Sequence, residues 1–552
     1  MQRIQQLQSL FPSADGNEEE RKQFLQWIEQ LVSGMDEMKD AERATLTGCK
    51  QREDICYEQI KIDSHIPHHG LKMEQVILLL LKLIENHPYH SKYYFSNIHP
   101  MASIPSMLGT LVMMLTNGNN IWDVSGPAGA EAEVGVMSMM SKLVGYNHLE
   151  SGGYTTWGGQ GAVFTGLRLA ISKAAPDSIA DGVPNHLYVF ASEAAHFSIL
   201  KSVEAAGLGR NKLIKVKTNT NNEMDVLDLE RKMIQVIENG GLPIYVVATT
   251  GTTDSMAIDN IKDIADMSFS IAKQYGVQRP HIHGDSALGG FFAFFNDYDM
   301  KENKWGFSNE VITALSEIKE KLKYLYVCDS ICFDFHKLGQ SPYVSSLFLV
   351  KQARDLKLLD ISPEDTPYIG HRAYGEYHTG YTLECSRMCS AISMYSTLMA
   401  FGMENYQKLL AHYVEVNLVL RKRLKNIDGL CIVNDGNAGM VTLFRIYHHT
   451  IRDGFVLEKN GLLYAAEVEE NNKRNEMLFE QLGENRDKMF FGDTQKHCSV
   501  PTKDGSTVSV NACKIFITSP YTEIKHVDDI VDYVQQMIQQ SQQRMQQRVK
   551  SV

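Results

Sequence analysis

A chain of 552 residues is too long for one hydrophobic core, so two or three domains are expected. Hydrophobic residues at 43% and charged residues at 22% describe an ordinary globular enzyme, not a disordered or fibrous chain. The net charge of −12 argues against nucleic acid or an anionic membrane as a main partner, so any phosphate would need a local site built from backbone N–H groups and a few side chains.

The opening residues, 1–20, are polar and acidic and match neither a signal nor a transit peptide. Residues 18–38 and 73–84 carry apolar side chains at helical spacing, so residues 1–100 read as a helical segment that packs on another domain or subunit. The longest apolar run, 76–81, is too short to span a bilayer. From 101 to 395 the pattern is α/β. Strand-like runs at 187–191, 244–249, 281–285, 324–327 and 344–350 alternate with helix-like stretches at 163–173, 199–206, 226–239 and 261–275. Such alternation implies a mostly parallel sheet covered by helices, with ligands beyond the carboxyl ends of the strands. A long helix-like stretch, 390–427, leads into alternating strands at 430–433, 441–447 and 513–518, so 396–552 reads as a smaller α+β domain. Residues 535–548 form a Gln-rich tail to which no function attaches. The nine cysteines are scattered without a CxxC pair, which fits reduced thiols in a cytoplasmic protein.

Four features fall at strand ends of the α/β region. Trp157-Gly158-Gly159-Gln160-Gly161-Ala162 opens a helix, where free N–H groups and the helix dipole favour an anion; by itself it is equally a plain turn. Ser192-Glu193-Ala194-Ala195-His196-Phe197-Ser198 follows a strand and presents a flat imidazole that can stack on a planar ligand, although Ser192 could simply cap a helix. His281-Ile282-His283-Gly284-Asp285-Ser286-Ala287 ends a strand on an aspartate. A carboxylate there is costly unless paired, and facing a pyridine nitrogen it would keep that nitrogen protonated. Asp334-Phe335-His336-Lys337-Leu338-Gly339 places a lysine after an apolar stretch, where desolvation would lower its pKa and make it a usable amine nucleophile. Lys337 lies 337 − 285 = 52 residues after Asp285, which leaves room for one crossover and puts both at the same sheet edge.

In order and spacing these blocks resemble the group II pyridoxal-5′-phosphate (PLP) dependent amino-acid decarboxylases, from about Phe95 to Arg387. The family pattern S-E-x-x-H-x-S matches Ser192 to Ser198. H-x-D-A-A-x-G-G matches His283 to Gly290 with Ser286 in place of the first alanine, and D-P-H-K matches Asp334 to Lys337 with Phe335 in place of proline. Ala248-Thr249-Thr250-Gly251-Thr252-Thr253 with Asp259, and Cys385-Ser386-Arg387, fit the family as well. His336-Lys337-Leu338-Gly339-Gln340-Ser341-Pro342-Tyr343 is similar to the bacterial tyrosine and acidic amino-acid enzymes.

The resemblance implies an aspartate-aminotransferase-like, fold type I large domain, a homodimer, and decarboxylation of an L-amino acid. It also implies PLP held as a Schiff base by Lys337, its ring under His196, its nitrogen on Asp285 and Ala287 on the opposite face. Gln160, Gly161, Thr253, Asp334 and His336 complete the implied cofactor contacts. The proton donor to Cα would be Tyr374 or Tyr377, between which the alignment does not choose. Asn97, His99 and Ser103 fall in the part that resembles the substrate entrance, and Arg372 and Arg387 are candidates for a distal carboxylate clamp. Three other readings compete. One is a metal-dependent hydrolase using His281, His283 and Asp285, which alternate onto one face of a strand. The second is a PLP lyase or desulfurase on the same fold, and the third a non-catalytic scaffold.

Overall fold

The structure, a computed structural model, describes residues 7–50, 52–361, 365 and 376–550. The chain separates into two compact units: residues 1–95 with 480–491, and residues 96–479 with 492–552. In the first unit the helix Glu18–Glu37 starts on Asn17, whose side chain accepts the N–H groups of Glu19 and Glu20. Three glutamates in its first turn complement the helix dipole. It packs against the helix Met73–Ile84, where Leu81 fills the space beside Gly34. Ion pairs Arg43–Asp487 and Arg486–Glu53 bind the 480–491 segment into this unit.

The second unit contains a seven-stranded sheet: β1 (Gly152–Thr156), β2 (Leu187–Ser192), β3 (Leu213–Val216), β4 (Leu242–Thr249), β5 (His281–Asp285), β6 (Ser330–Asp334) and β7 (Ser346–Val350). Its order is β1-β7-β6-β5-β4-β2-β3, with β7 antiparallel to both neighbours and the rest parallel. β1, β5, β6 and β7 are buried throughout, as expected of strands covered on both faces. The helix Gly159–Ala174 leaves β1 and packs across β4 to β7. Helices Val226–Glu238 and Ile261–Tyr275 cover the sheet too. Asp225 and Asn260 cap their starts, and Gly276, at φ 65°, ends the second.

The long helix Ala391–Leu424 packs on helices Ile104–Thr116, Pro127–Leu143 and Val527–Lys550. It is interrupted at Gly402, whose φ of 56° only glycine adopts readily. Beyond it β8 (Leu430–Ile432), β9 (Val441–Ile446), β10 (Gly492–Pro501) and β11 (Thr507–Phe516) form an antiparallel sheet of order β10-β11-β9-β8. No helix of the described residues is long and apolar enough to cross a membrane.

The sheet departs from the sequence reading in three places, one of them the short edge strand β3, Leu213–Val216, which no strand-like run marked. Residues 324–327, read as a strand, contain the 3-10 turn Leu325–Val327, and the strand follows at Ser330–Asp334. A four-residue apolar run has too little periodicity to separate the two. β1 went unrecognised because Gly-Gly-Tyr-Thr-Thr has turn composition; pairing with β7 imposes the strand.

Candidate active site

Strands β2, β4, β5 and β6 end at one edge, and the side chains just beyond them surround a cavity of about 240 Å³. Gly159, Gln160, His196, Thr253, Asp285, Ala287, Asp334, His336 and Lys337 all line it. All of these but Gly159 are cofactor contacts expected from sequence, and Gly159 belongs to the Gly-rich turn singled out there. Gly161, two residues on in the same first turn, does not line the cavity and is buried against Trp157. Ser198, Thr249, Gly251 and Leu288 also line the cavity and were not singled out, although each lies within or beside a matched block.

Lys337 Nζ lies 2.8 Å from Asp334 Oδ2, and the lysine side chain keeps 23% of its surface open. Burial alone would pull the ammonium pKa down. Asp334 first, then Asp285 and Cys332, reverse this, so Lys337 is raised above its ordinary value. This corrects the lowered lysine that desolvation alone implies, because the carboxylate three residues earlier outweighs burial. Asp334 is itself buried, accepts a hydrogen bond from Ser346 Oγ at 2.6 Å, and is drawn below the usual carboxylate range by Lys337 and His336 against the effect of burial. His336 lies beside it, Nε2 to Oδ2 at 3.5 Å, with its ring 4.1 Å from that of Tyr343. Loss of solvation keeps His336 lowered.

Asp285 closes the strand of His281 and is 6% exposed. Its Oδ1 accepts the Ala287 N–H at 3.3 Å and the Cys332 thiol at 3.3 Å. Cys332, two residues before Asp334, is a site neighbour to which the sequence assigns no role. His196 stands exposed at the cavity rim, yet desolvation by the surrounding protein lowers its pKa despite the pull of Asp285 and Asp334. The Ser198 N–H donates to His196 Nδ1 at 3.2 Å, so the neutral imidazole carries its proton on Nε2.

Tyr377 is not among the described residues lining this cavity. Its hydroxyl donates to Glu133, a fully buried carboxylate on the helix Pro127–Leu143. Glu133 also accepts from Asn120 Nδ2 at 3.0 Å, from Thr155 N at 3.0 Å and from Arg387 Nη2 at 2.5 Å. Arg387 donates further to Asn120 O, Thr155 O, Thr155 Oγ1 and Thr379 Oγ1, which occupies both terminal nitrogens. As a clamp for a distal substrate carboxylate it is ruled out: it is 6% exposed and ties β1 to the 377–387 segment. Tyr374 and Arg372 lie outside the described residues.

The two histidines of the hydrolase reading do not converge on a metal. Both bind Ser330, and burial lowers His281 to about 4 and His283 to about 3. Among the described residues no group of three or more His, Cys, Asp or Glu could hold an ion.

The cavity fits PLP. A lysine stands ready for a covalent link, a carboxylate ends β5, and the helix Gly159–Ala174 presents its start, where the N–H groups of Gly159 and Gln160 precede the first bond of the helix, Gly161 N–H to Gly158 O. A Cβ on Gly159 would stand 3.0 Å from Asp334 Oδ1 and 3.4 Å from Ala287 Cβ, so only glycine leaves that wall open.

Comparison with known proteins agrees. The pattern of the pyridoxal-dependent decarboxylase conserved domain matches residues 56–302 and 312–447. An L-2,4-diaminobutyrate decarboxylase of Acinetobacter baumannii is 27% identical over 412 residues, covering 70% of this chain and 73% of that one. Mouse CSAD, in its apo crystal structure, superposes with a TM-score of 0.75 at 18% identity, over 94% of this chain and 99% of that one. Oryza sativa TDC, solved with PLP and tryptamine, gives 0.74 at 18% identity, over 96% and 99%. At that identity the structures speak for the fold alone, which is that of fold type I PLP enzymes.

Proposed function

The chain belongs to the pyridoxal-dependent decarboxylase family, and from that premise we propose how its own residues divide the work of decarboxylating an amino acid. Bound PLP supplies an electron sink for the pair released when the bond between Cα and the carboxylate breaks. Lys337 Nζ holds the cofactor, and Asp334 fixes that nitrogen at the cavity floor. Asp285, steadied by Ala287 N–H and Cys332, holds a proton on the ring nitrogen. His196 and Ala287, which line the cavity, would hold the ring between them, and the Nε2–H of His196 would be free to donate to the substrate carboxylate. The first turn of Gly159–Ala174, with Gln160 and Gly161, takes the phosphate, with Thr253 and His336 beside it. Since Asp334 is ionised and bound to Lys337, we assign it to the lysine and not to the phosphate. Tyr374 is the proton donor to Cα, because Glu133 holds the hydroxyl of Tyr377.

One observation carries this reading: Lys337 and Asp285, 52 residues apart in sequence, line the same cavity. For the substrate we propose an L-amino acid with a short polar side chain, L-2,4-diaminobutyrate first. The diaminobutyrate decarboxylase match and the engagement of Arg387 support this. Carbon dioxide release from each common L-amino acid and from L-2,4-diaminobutyrate tests it. Release from the latter alone is expected, and release from none would overturn the reading.

Residues 1–100 as a helical dimer-contact segment, 101–395 as the PLP domain and 396–552 as the small domain are proposed with it. So are a homodimer and a cytoplasmic location. Exposed Leu78 and Leu83 on one helix, and Ile104 and Leu108 on another, support the dimer; nine free cysteines support the location. Sedimentation at micromolar concentration should give twice the chain mass.

A further inference from the structure

The seven-stranded sheet holds polar groups that the assignments above leave unused. His281 Nε2 lies 2.7 Å and His283 Nδ1 2.8 Å from one hydroxyl, Ser330 Oγ on β6. Tyr245 stacks on both rings with centroids 5.7 Å away. The outer nitrogens of this chain, His281 Nδ1 and His283 Nε2, are buried and meet no hydrogen-bond partner among the described residues. An unmet buried polar atom is costly, so two of them at opposite ends of one chain call for a reason.

Burial keeps both imidazoles neutral, so each carries one proton. The hydroxyl has a single proton and therefore donates to one ring while accepting from the other. Two arrangements satisfy this. In the first, His281 Nε2–H donates to Ser330, Ser330 donates to His283 Nδ1, and His283 keeps its proton on Nε2. In the second, His283 Nδ1–H donates to Ser330, Ser330 donates to His281 Nε2, and the proton of His281 sits on Nδ1.

The two ends of the chain have different surroundings. His281 lines a second cavity, at the amino-terminal edge of the sheet, with Lys173, Arg279 and Asp329. Lys173 is paired there with Asp355, and Arg279 with Asp329. His283 and Asp285 are two residues apart on β5 and so project to the same face of the sheet, where Asp285 pulls the His283 pKa upward against burial. Between them the helix Gly159–Ala174 closes directly on the chain: a Cβ on Gly166 would stand 3.1 Å from His283 Nδ1, 3.1 Å from Ser330 Oγ and 2.6 Å from Tyr245 Oη.

We propose that His281, Ser330 and His283 form a hydrogen-bonded chain that runs from the cavity at the amino-terminal edge to the ring next to Asp285 on the same face of β5, and that they act as positioning residues for that carboxylate. This rests on the reading that Asp285 faces the ring nitrogen of the cofactor. Asp285 favours the arrangement that turns the more positive edge of the His283 ring towards it, and Ser330 locks that arrangement.

Titration of the apoprotein with PLP, followed by absorbance, tests the idea. Ser330→Ala should weaken cofactor binding about tenfold, the loss of one buried hydrogen bond, while Ser330→Thr, which keeps the hydroxyl, should stay within about threefold. Should Ser330→Ala not fold, His281→Phe keeps a ring on Tyr245 but cuts the chain at its far end, and should give the same loss. In an Asp285→Asn background Ser330→Ala should cost nothing further, because the chain acts through that carboxylate. Nitrogen-15 spectra of histidine-labelled apoprotein should show one tautomer each for His281 and His283, and a mixture in Ser330→Ala. Wild-type affinity in Ser330→Ala, or an equal loss with and without Asp285, would overturn the proposal. If Asp285→Asn alone left affinity and spectrum unchanged, the reading of Asp285 itself would fail, and the proposal with it.

Discussion

Replacing Arg387 with methionine leaves Glu133 in the interior without its counter-charge. The pair is almost sealed, with side chains 2% and 0% exposed. Glu133 would retain Asn120, Thr155 and Tyr377 as donors, so it stays hydrogen-bonded but unneutralised. Breaking one half of a buried pair costs about 3–5 kcal/mol. Because Arg387 links β1 to the 377–387 segment, that cost should fall on local opening there. At about 1.4 kcal/mol per tenfold, amides of Gly152–Thr156 and of 377–387 should exchange at least a hundredfold faster with deuterium. Peptide-resolved exchange mass spectrometry measures this directly. Neutralising both partners, Arg387→Met with Glu133→Gln, should recover at least half of the lost protection. Exchange within threefold of wild type in the single variant would refute the claim that this pair fastens the segment.

Asp334→Asn removes the carboxylate that lifts Lys337, leaving burial to dominate, so the lysine pKa should fall. Amine labelling of Lys337 in the apoprotein should then shift to lower pH; an unchanged profile would contradict the assignment. His196→Phe retains a ring but loses the Nε2 proton, and should lower kcat/KM by more than tenfold while changing PLP affinity less than threefold, about 1.4 kcal/mol or more falling on the reacting complex alone. Tyr377→Phe should keep most of kcat, because its hydroxyl serves Glu133, whereas Tyr374→Phe should lose about a hundredfold. The reverse order in a steady-state assay would move the proton donor to Tyr377.

The legible parts of the site were those whose chemistry is local in sequence. β5 was bounded correctly because Pro280 precedes it and the run His281-Ile282-His283-Gly284 ends on one costly carboxylate, Asp285. Lys337 stood out as a cation in an apolar stretch, but its electrostatics did not: Asp334 sits three residues earlier at the end of β6, and whether it turns towards Nζ depends on the strand end and on Ser346. Arg387 looked available for substrate, since nothing in sequence ties it to Glu133, 254 residues away. The contact of Cys332 with Asp285 likewise exists only because β5 and β6 are neighbours. What sequence misses here is pairing across the sheet, which no single strand encodes.

The most direct test of the central claim is borohydride reduction of the purified holoprotein, followed by peptide mass spectrometry. The account predicts loss of the visible chromophore and a pyridoxyl-phosphate adduct on the peptide containing Lys337 and on no other. An adduct on another lysine, or none on a protein that still releases carbon dioxide, would contradict it.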